Sequence, residues 1–172
     1  NADAVINSSD FRANEKTFQM ISQVAGRTGR GNKPGKVIIQ TMNPKQPAIR
    51  FAANYDFESF VDYELSLRQR CKLPPFSRMA LILMRDASHE RLEDASKFVT
   101  KAVQNIINAG SLDITVRGPM PCPIPRVSRM HRLQLVLIAS NPAILTKFFK
   151  IYRSQPPLKT SIKIAFDIDP IF

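Results

Sequence analysis

The stretch Gln23-Val-Ala-Gly-Arg-Thr-Gly-Arg-Gly31 sets Arg27 and Arg30 three residues apart among Gly26, Gly29 and Gly31, with Gln23 leading in. Guanidinium forks match phosphate oxygens in pairs, and glycines let a backbone approach a ligand or take up turns closed to other residues. Such a turn can hold phosphate. A surface loop carrying two solvated charges has the same composition, so the neighbouring elements have to decide between the two readings.

The other chemistry-bearing residues are weaker candidates. Asp167 and Asp169 in Phe-Asp-Ile-Asp-Pro170 have the spacing of paired carboxylates, but they fall on the polar side of an alternating strand. Carboxylates there are solvated or paired with bases. His89 and His131 have no neighbouring Cys, Ser or second His in sequence to build a nucleophile or a metal set, and read as exposed residues at element ends. Cys122 sits between two prolines near Arg126, an arrangement open to a reactive thiol or to a small semi-buried side chain. Cys71 and Cys122 form no CxxC pair, so no metal site is expected within the chain.

The passage from Gly118 to Arg132 is more informative. Pro119, Pro121, Pro123 and Pro125 alternate along a stiff extended ribbon, and its second half carries Arg126, Arg129, His131 and Arg132 in a hairpin-like connection. These side chains are candidate contacts to a phosphate backbone, which would give salt-dependent binding without sequence preference. A solvated stiff loop is the alternative. Aromatic residues for base stacking are scarce, and Phe76, after a double proline, reads as an anchor at a junction.

The elements that must position these groups follow from periodicity. In 172 residues, 44% of them hydrophobic, there is material for one medium domain or two small ones with a packed core. A net charge of +11 points to an anionic partner, most often nucleic acid. No apolar run reaches the roughly 18 residues of a membrane span, and the start does not resemble a signal peptide; a soluble protein of the reducing cytoplasm is expected. Residues 10–25 form an amphipathic helix with Phe18, Ile21 and Val24/Ala25 on one side, ending at Gly26, and residues 36–41 form a short buried strand. Residues 48–70 read as two helices broken near Asn54, and Leu73-Pro-Pro-Phe76 ends helix formation.

Beyond the prolines the pattern is strand, long helix, strand, strand, helix, strand. Residues 79–84 are the first strand, and residues 88–109 carry a helical stripe closed by Gly110 as C-terminal cap. Residues 112–118 and 131–139 are the next two strands. Ser140 or Asn141 caps a helix with Pro142 at its first position and Leu145, Phe148/Phe149 and Tyr152 on its buried side. Ile162, Ile164, Phe166 and Ile168 alternate with polar partners in the last strand. The order βαββαβ predicts a ferredoxin-like domain, a four-stranded antiparallel sheet backed by two helices.

Two resemblances narrow the function. Gln-x-x-Gly-Arg-x-Gly-Arg, here Gln23, Gly26, Arg27, Gly29 and Arg30, has the form of motif VI of superfamily 2 helicases. Residues 10–31 are moreover similar to the second helicase lobe of the primosomal protein N′ (PriA) family of replication-restart helicases. The likeness continues, in that family's order, through Gly35-Lys-Val-Ile-Ile-Gln-Thr41, Leu73-Pro-Pro-Phe-Ser-Arg78, Gly118-Pro-Met-Pro-Cys-Pro-Ile124, Arg132-Leu-Gln-Leu-Val-Leu137 and Asp167-Ile-Asp-Pro170.

That resemblance implies an α/β end of a RecA-like helicase lobe over residues 1–54, a helical connector with the double proline over 55–76, and the ferredoxin-like C-terminal domain over 77–172. It implies an ATP-dependent DNA helicase of 3′ to 5′ polarity that acts in replication restart and primosome assembly at stalled or repaired forks. Arg30 would be the arginine finger on the γ-phosphate and Arg27 a second phosphate contact, both catalytic. Gln23 would couple nucleotide state to lobe closure, with Gly26 and Gly29 permitting the backbone to approach nucleotide. Arg126, Arg129 and Arg132 are carried as DNA contacts. ATP and Mg²⁺ would serve the full-length enzyme, and zinc would be held by cysteines upstream. Partners would be forked or single-stranded DNA, single-strand binding protein and other primosome proteins. No G-x-x-x-x-G-K-[ST] stretch occurs in these 172 residues, so this piece alone is expected to hydrolyse no ATP. Asn1-Ala2 is read either as left by cloning or as native. The rival from another class is a nonenzymatic basic nucleic-acid-binding module with a ribosomal-protein-like half, and a third reading is a protein-interaction domain whose charge aids solubility.

Overall fold

In the computed structural model, residues 2–8, 10–28, 36–156 and 161–170 are described. They fall into two compact units, Asn1–Cys71 and Lys72–Phe172.

The first unit is built from helices α1 (Asp3–Ile6), α2 (Ala13–Arg27), α3 (Pro47–Ala53) and α4 (Phe57–Arg70). The break near Asn54 separates α3 from α4 as the periodicity predicts. Pro47 starts α3, where its missing N–H costs nothing, and the Gln46 side chain accepts the Ala48 amide at 2.6 Å. Asp56 caps α4 by accepting the Ser59 amide. Phe18 of α2 and Phe60 of α4 stack with centroids 4.3 Å apart, over a floor of Ala48, Ile49 and Ala52 from α3. Two expectations change. Residues 36–40 belong to no strand ladder, and Ile38 is 84% exposed. A strand needs a neighbour to satisfy its backbone, whereas this segment is tied at its end, where the Ala2 amide donates to the Gln40 carbonyl. The second change is at Gly26, which does not end α2: the helix continues through Arg27, and the Thr28 hydroxyl donates to the Ala25 carbonyl at 2.6 Å as the chain turns extended.

The second unit has the order β1 (Arg78–Asp86), α5 (His89–Ala109), β2 (Ile114–Val127), β3 (Met130–Ala139), α6 (Pro142–Ser154) and β4 (Lys163–Ile168). Its four-stranded sheet runs β2-β3-β1-β4 with every neighbouring pair antiparallel. Strand alternation sends Ala80, Ile82 and Met84 of β1, and Leu135, Leu137 and Ala139 of β3, to the side occupied by both helices. There they meet Leu92, Val99, Val103 and Ile106 of α5 and Leu145 and Phe148 of α6. Each of the larger of these side chains is nearly or wholly buried and contributes about 1.5–3 kcal/mol of apolar transfer. Ser88 caps α5 through the Arg91 amide, and Asn141 caps α6 through the Ile144 amide.

Three details of this unit differ from the sequence reading. The second strand does not end at Gly118: β2 runs on through the extended proline ribbon to Val127, which is possible because β2 lies at the sheet edge, where a proline without an N–H breaks no inner ladder. Gly110 is the C-terminal cap of α5 as the pattern predicts; its conformation is right-handed, and the left-handed position falls one residue later at Ser111, φ 47°. Bonds from the Leu112 amide to the Ile107 carbonyl and from the Ser111 amide to the Asn108 carbonyl complete a Schellman end there. Finally, the last strand is buried less than its alternation predicts: Ile162, just before β4, is buried, whereas Phe166 and Ile168 are 39% and 54% exposed at the other sheet edge. Phe76, read as an apolar anchor, is 43% exposed.

Gly118 is where glycine is required. Its φ is +106°, and an added Cβ would stand 2.6 Å from the backbone oxygen of Gln134 on the adjacent strand. That oxygen belongs to the sheet and cannot retreat. Gly118→Ala is expected to cost roughly 2–4 kcal/mol, read as a lowered midpoint of urea unfolding followed by far-UV circular dichroism.

Candidate phosphate-facing helix end and basic hairpin

The end of α2 carries Gln23, Gly26 and Arg27, all exposed. Gly29 and Arg30 lie outside the described residues, so the expected finger itself has no described position. No salt bridge or hydrogen bond holds the Arg27 side chain among the described residues. An added Cβ at Gly26 would meet nothing within 4 Å. The face is open at the residue where the backbone would be approached.

The base of α2, by contrast, is fastened by a buried polar network. Arg68 of α4 donates from Nε to Glu64 at 3.0 Å and from Nη2 to Glu15 of α2 at 2.9 Å. Asn14 donates to Glu64 at 3.2 Å and accepts from Gln46 at 2.7 Å, which joins α2 to the start of α3. The Arg68 guanidinium lies over the Phe11 ring at 5.3 Å. Ahead of the helix, burial would raise the Asp10 carboxyl, but bonds from Lys16, the Arg12 amide and the Arg12 guanidinium outweigh it and hold it below the usual carboxylate range. Helical spacing already puts Glu64 and Arg68 on the apolar stripe of residues 57–68. Opposite charges four apart at buried-stripe positions are the sequence signal of an internal ion pair.

In the second unit, Ser128 and Arg129 form a two-residue turn with φ of 48° and 64°, joining Val127 to its partner Met130. Positive φ at both positions matches the turn to the right-handed twist of the strands. Arg126 and Arg129 are exposed. Arg132 plays another part. Half-buried, it donates to the Ile124 carbonyl at 3.3 Å and holds the bulge formed where the register shifts between Pro121 and Arg126. Cys122 lies inside that bulge, 4% exposed, and burial pushes its thiol up against the opposing pull of Arg132. It is a packed thiol, not a reactive thiolate. His131 meets His89 edge to face with centroids 5.1 Å apart, a pairing of elements distant in sequence. Asp167 is exposed, and Asp169 faces Arg78 at 3.8 Å, which leaves neither in a catalytic pair.

Residues 69–171 match the family model described as the primosomal protein N C-terminal domain. Over 98% of its length the chain is 33% identical to the replication restart protein PriA of Bacillus subtilis, and over 99% it is 32% identical to proteins of that name from Treponema pallidum and Haemophilus influenzae. It spans 21%, 25% and 23% of these relatives' lengths.

Two variants separate fold from function at this helix. Arg68→Ala leaves Glu64 buried and without its cation and is expected to destabilise the first unit by about 3–5 kcal/mol in urea unfolding. Gly26→Ala is expected to leave that unit as stable as before or up to about 1 kcal/mol more stable, because alanine suits a helix interior better.

Proposed function

From the premise that this chain belongs to the primosomal protein N C-terminal domain family, we propose that it forms part of an ATP-dependent 3′ to 5′ DNA helicase that restarts replication at stalled or repaired forks. The carrying observation is the end of α2: a pattern of motif VI form on a firmly rooted helix, with Gly26 facing open space and Arg27 unpaired among the described residues. These residues fit a phosphate. ATP, when bound with Mg²⁺ by a partner lobe, supplies the γ-phosphoryl group whose transfer develops negative charge. Arg30 stabilises that charge, Arg27 supplies a second contact, and Gln23 ties the nucleotide state to lobe closure. Gly26 and Gly29 let the backbone approach.

The first unit then serves as the end of a RecA-like lobe. Ile38, Val24 and Met42, all substantially exposed, and the unladdered segment 36–40 suit contact with further strands of such a lobe. The second unit, with its βαββαβ order and β2-β3-β1-β4 sheet, is read as ferredoxin-like and as a DNA-holding domain, with Arg126 and Arg129 as contacts. Arg132 adds charge to the same hairpin while bracing its bulge. Zinc in the full-length protein is assigned to cysteines outside this chain, since Cys71 and Cys122 form no CxxC pair. Forked or single-stranded DNA, single-strand binding protein and other primosome proteins are the partners, in the cytoplasm. No helix of the described residues is long and apolar enough to cross a membrane.

The test uses the complete protein. Arg30→Ala is expected to lower DNA-stimulated ATP turnover on the order of 10³-fold while DNA affinity stays within a few-fold. Near-normal turnover would remove the assignment. A large loss of DNA affinity with turnover per bound complex unchanged would favour the nonenzymatic nucleic-acid-binding module instead.

A further inference from the structure

The register of the sheet brings together three cations that are far apart in sequence. Arg85 of β1 stands opposite Arg132 of β3 on one side and opposite Lys163 of β4 on the other. All three alternate away from the helix-covered side, since Met84, Leu133 and Ile164, their neighbours along the strands, belong to the core beneath the helices. Arg85 and Lys163 are exposed and Arg132 is half-buried. Like charges directly opposite one another destabilise a sheet, and strand spacing of about 4.8 Å puts the outer two roughly 10 Å apart at the backbone. Among the described residues no carboxylate lies within salt-bridge distance of any of the three, and Arg132 alone of them has a polar partner, the Ile124 carbonyl. The packing of the core does not need these charges.

Along the strands the surroundings discriminate between anions. The next row on the same face is Ala165, Leu83, Gln134 and Met120, and the first carboxylate on it is Asp167, a further row away opposite Leu81. No aromatic ring occurs in either row, so bases find no stacking platform. Charge is offered across the strands, and the exposed Arg126, paired with His131 and so on the other face, does not extend the row. We propose that the row Arg132, Arg85 and Lys163 binds the sugar-phosphate backbone of a DNA strand laid across the sheet, successive phosphates relieving the repulsion between successive cations. Its binding is sequence-independent, because phosphates carry the contact and base edges do not. The inference rests on the reading that this chain meets DNA, and it adds two residues, Arg85 and Lys163, that no linear motif contains.

The experiment titrates a fluorescein-labelled oligothymidylate with the whole chain across about 50–200 mM salt, following anisotropy. Arg85→Gln/Lys163→Gln is expected to weaken binding on the order of 10-fold and to reduce the slope of log K against log salt by about 1.4, the share of two single-strand phosphate contacts. Lys101→Gln/Lys147→Gln, which removes the same charge from the exposed sides of α5 and α6, should leave the slope almost unchanged. The charge-keeping Arg85→Lys/Lys163→Arg should bind like the original chain, which separates loss of charge from loss of fold. Equal effects of the two glutamine pairs, or a slope that Arg85→Gln/Lys163→Gln does not move, would overturn the row as a site. Failure of the unsubstituted chain to bind the oligonucleotide at all would take down the DNA reading as well, and is told apart from the other outcomes by that binding alone.

Discussion

The second unit depends on the position of β1. As an inner strand, hydrogen-bonded to β3 along its whole length and to β4 along most of it, it imposes one register on three strands. Side chains alternate with a period of two, so a slip by one residue would exchange its two faces entirely. Ala80, Ile82 and Met84, none with measurable exposure, lock the register from the helix side. The opposite side inherits whatever that register dictates. Arg85 is thereby placed between Arg132 and Lys163, an arrangement that costs repulsion and that the apolar core enforces.

In the first unit the corresponding constraint is electrostatic. Arg68 is buried between Glu64 and Glu15, with side-chain exposures of 11% and 7% for Arg68 and Glu64. Two charges withdrawn from water so far recover their desolvation cost only with good geometry and additional hydrogen bonds, which Asn14 and the Phe11 face help to provide. An apolar pair could hold two helices together as well. An ion pair with directional bonds does more to fix the rotation of α2 about its axis, and with it the direction in which Gln23 and Arg27 project roughly two to three turns away.

How much of this was legible from the residues depends on range. Helices announced by caps and stripes came through: the stripe of residues 88–109, Asn141 with Pro142, and the Leu145, Phe148 and Tyr152 face are all local signals. The βαββαβ order came through because strand and helix periods differ. What failed were features fixed by a neighbour. Segment 36–40 has β-branched residues enough for a strand, yet pairing and not composition makes one. The prolines of β2 read as an extended ribbon outside the sheet, because an edge position cannot be seen until the strand order is known. Arg132 looked like a free cation, and only the bulge shows the carbonyl it serves. At the helix end, Gln23, Gly26 and Arg27 are singled out by their spacing alone, whereas the network that roots their helix joins residues 50 and 53 positions apart.

The two glycines Gly26 and Gly118 show how fold can be separated from function on physical grounds. Gly118 is explained inside the chain: its backbone angle and the Gln134 oxygen exclude any side chain. Gly26 has ordinary helical backbone and empty space where a Cβ would go, and in a helix interior glycine is about 1 kcal/mol worse than alanine. Nothing among the described residues of the first unit compensates that loss. A close approach from outside the unit would, if the approaching group needed the volume a methyl would fill, and the neighbouring Arg27, without a described partner, favours an anionic group there. On the proposed function, the destabilising residue and the exposed cation beside it serve one end, room and charge for a phosphate.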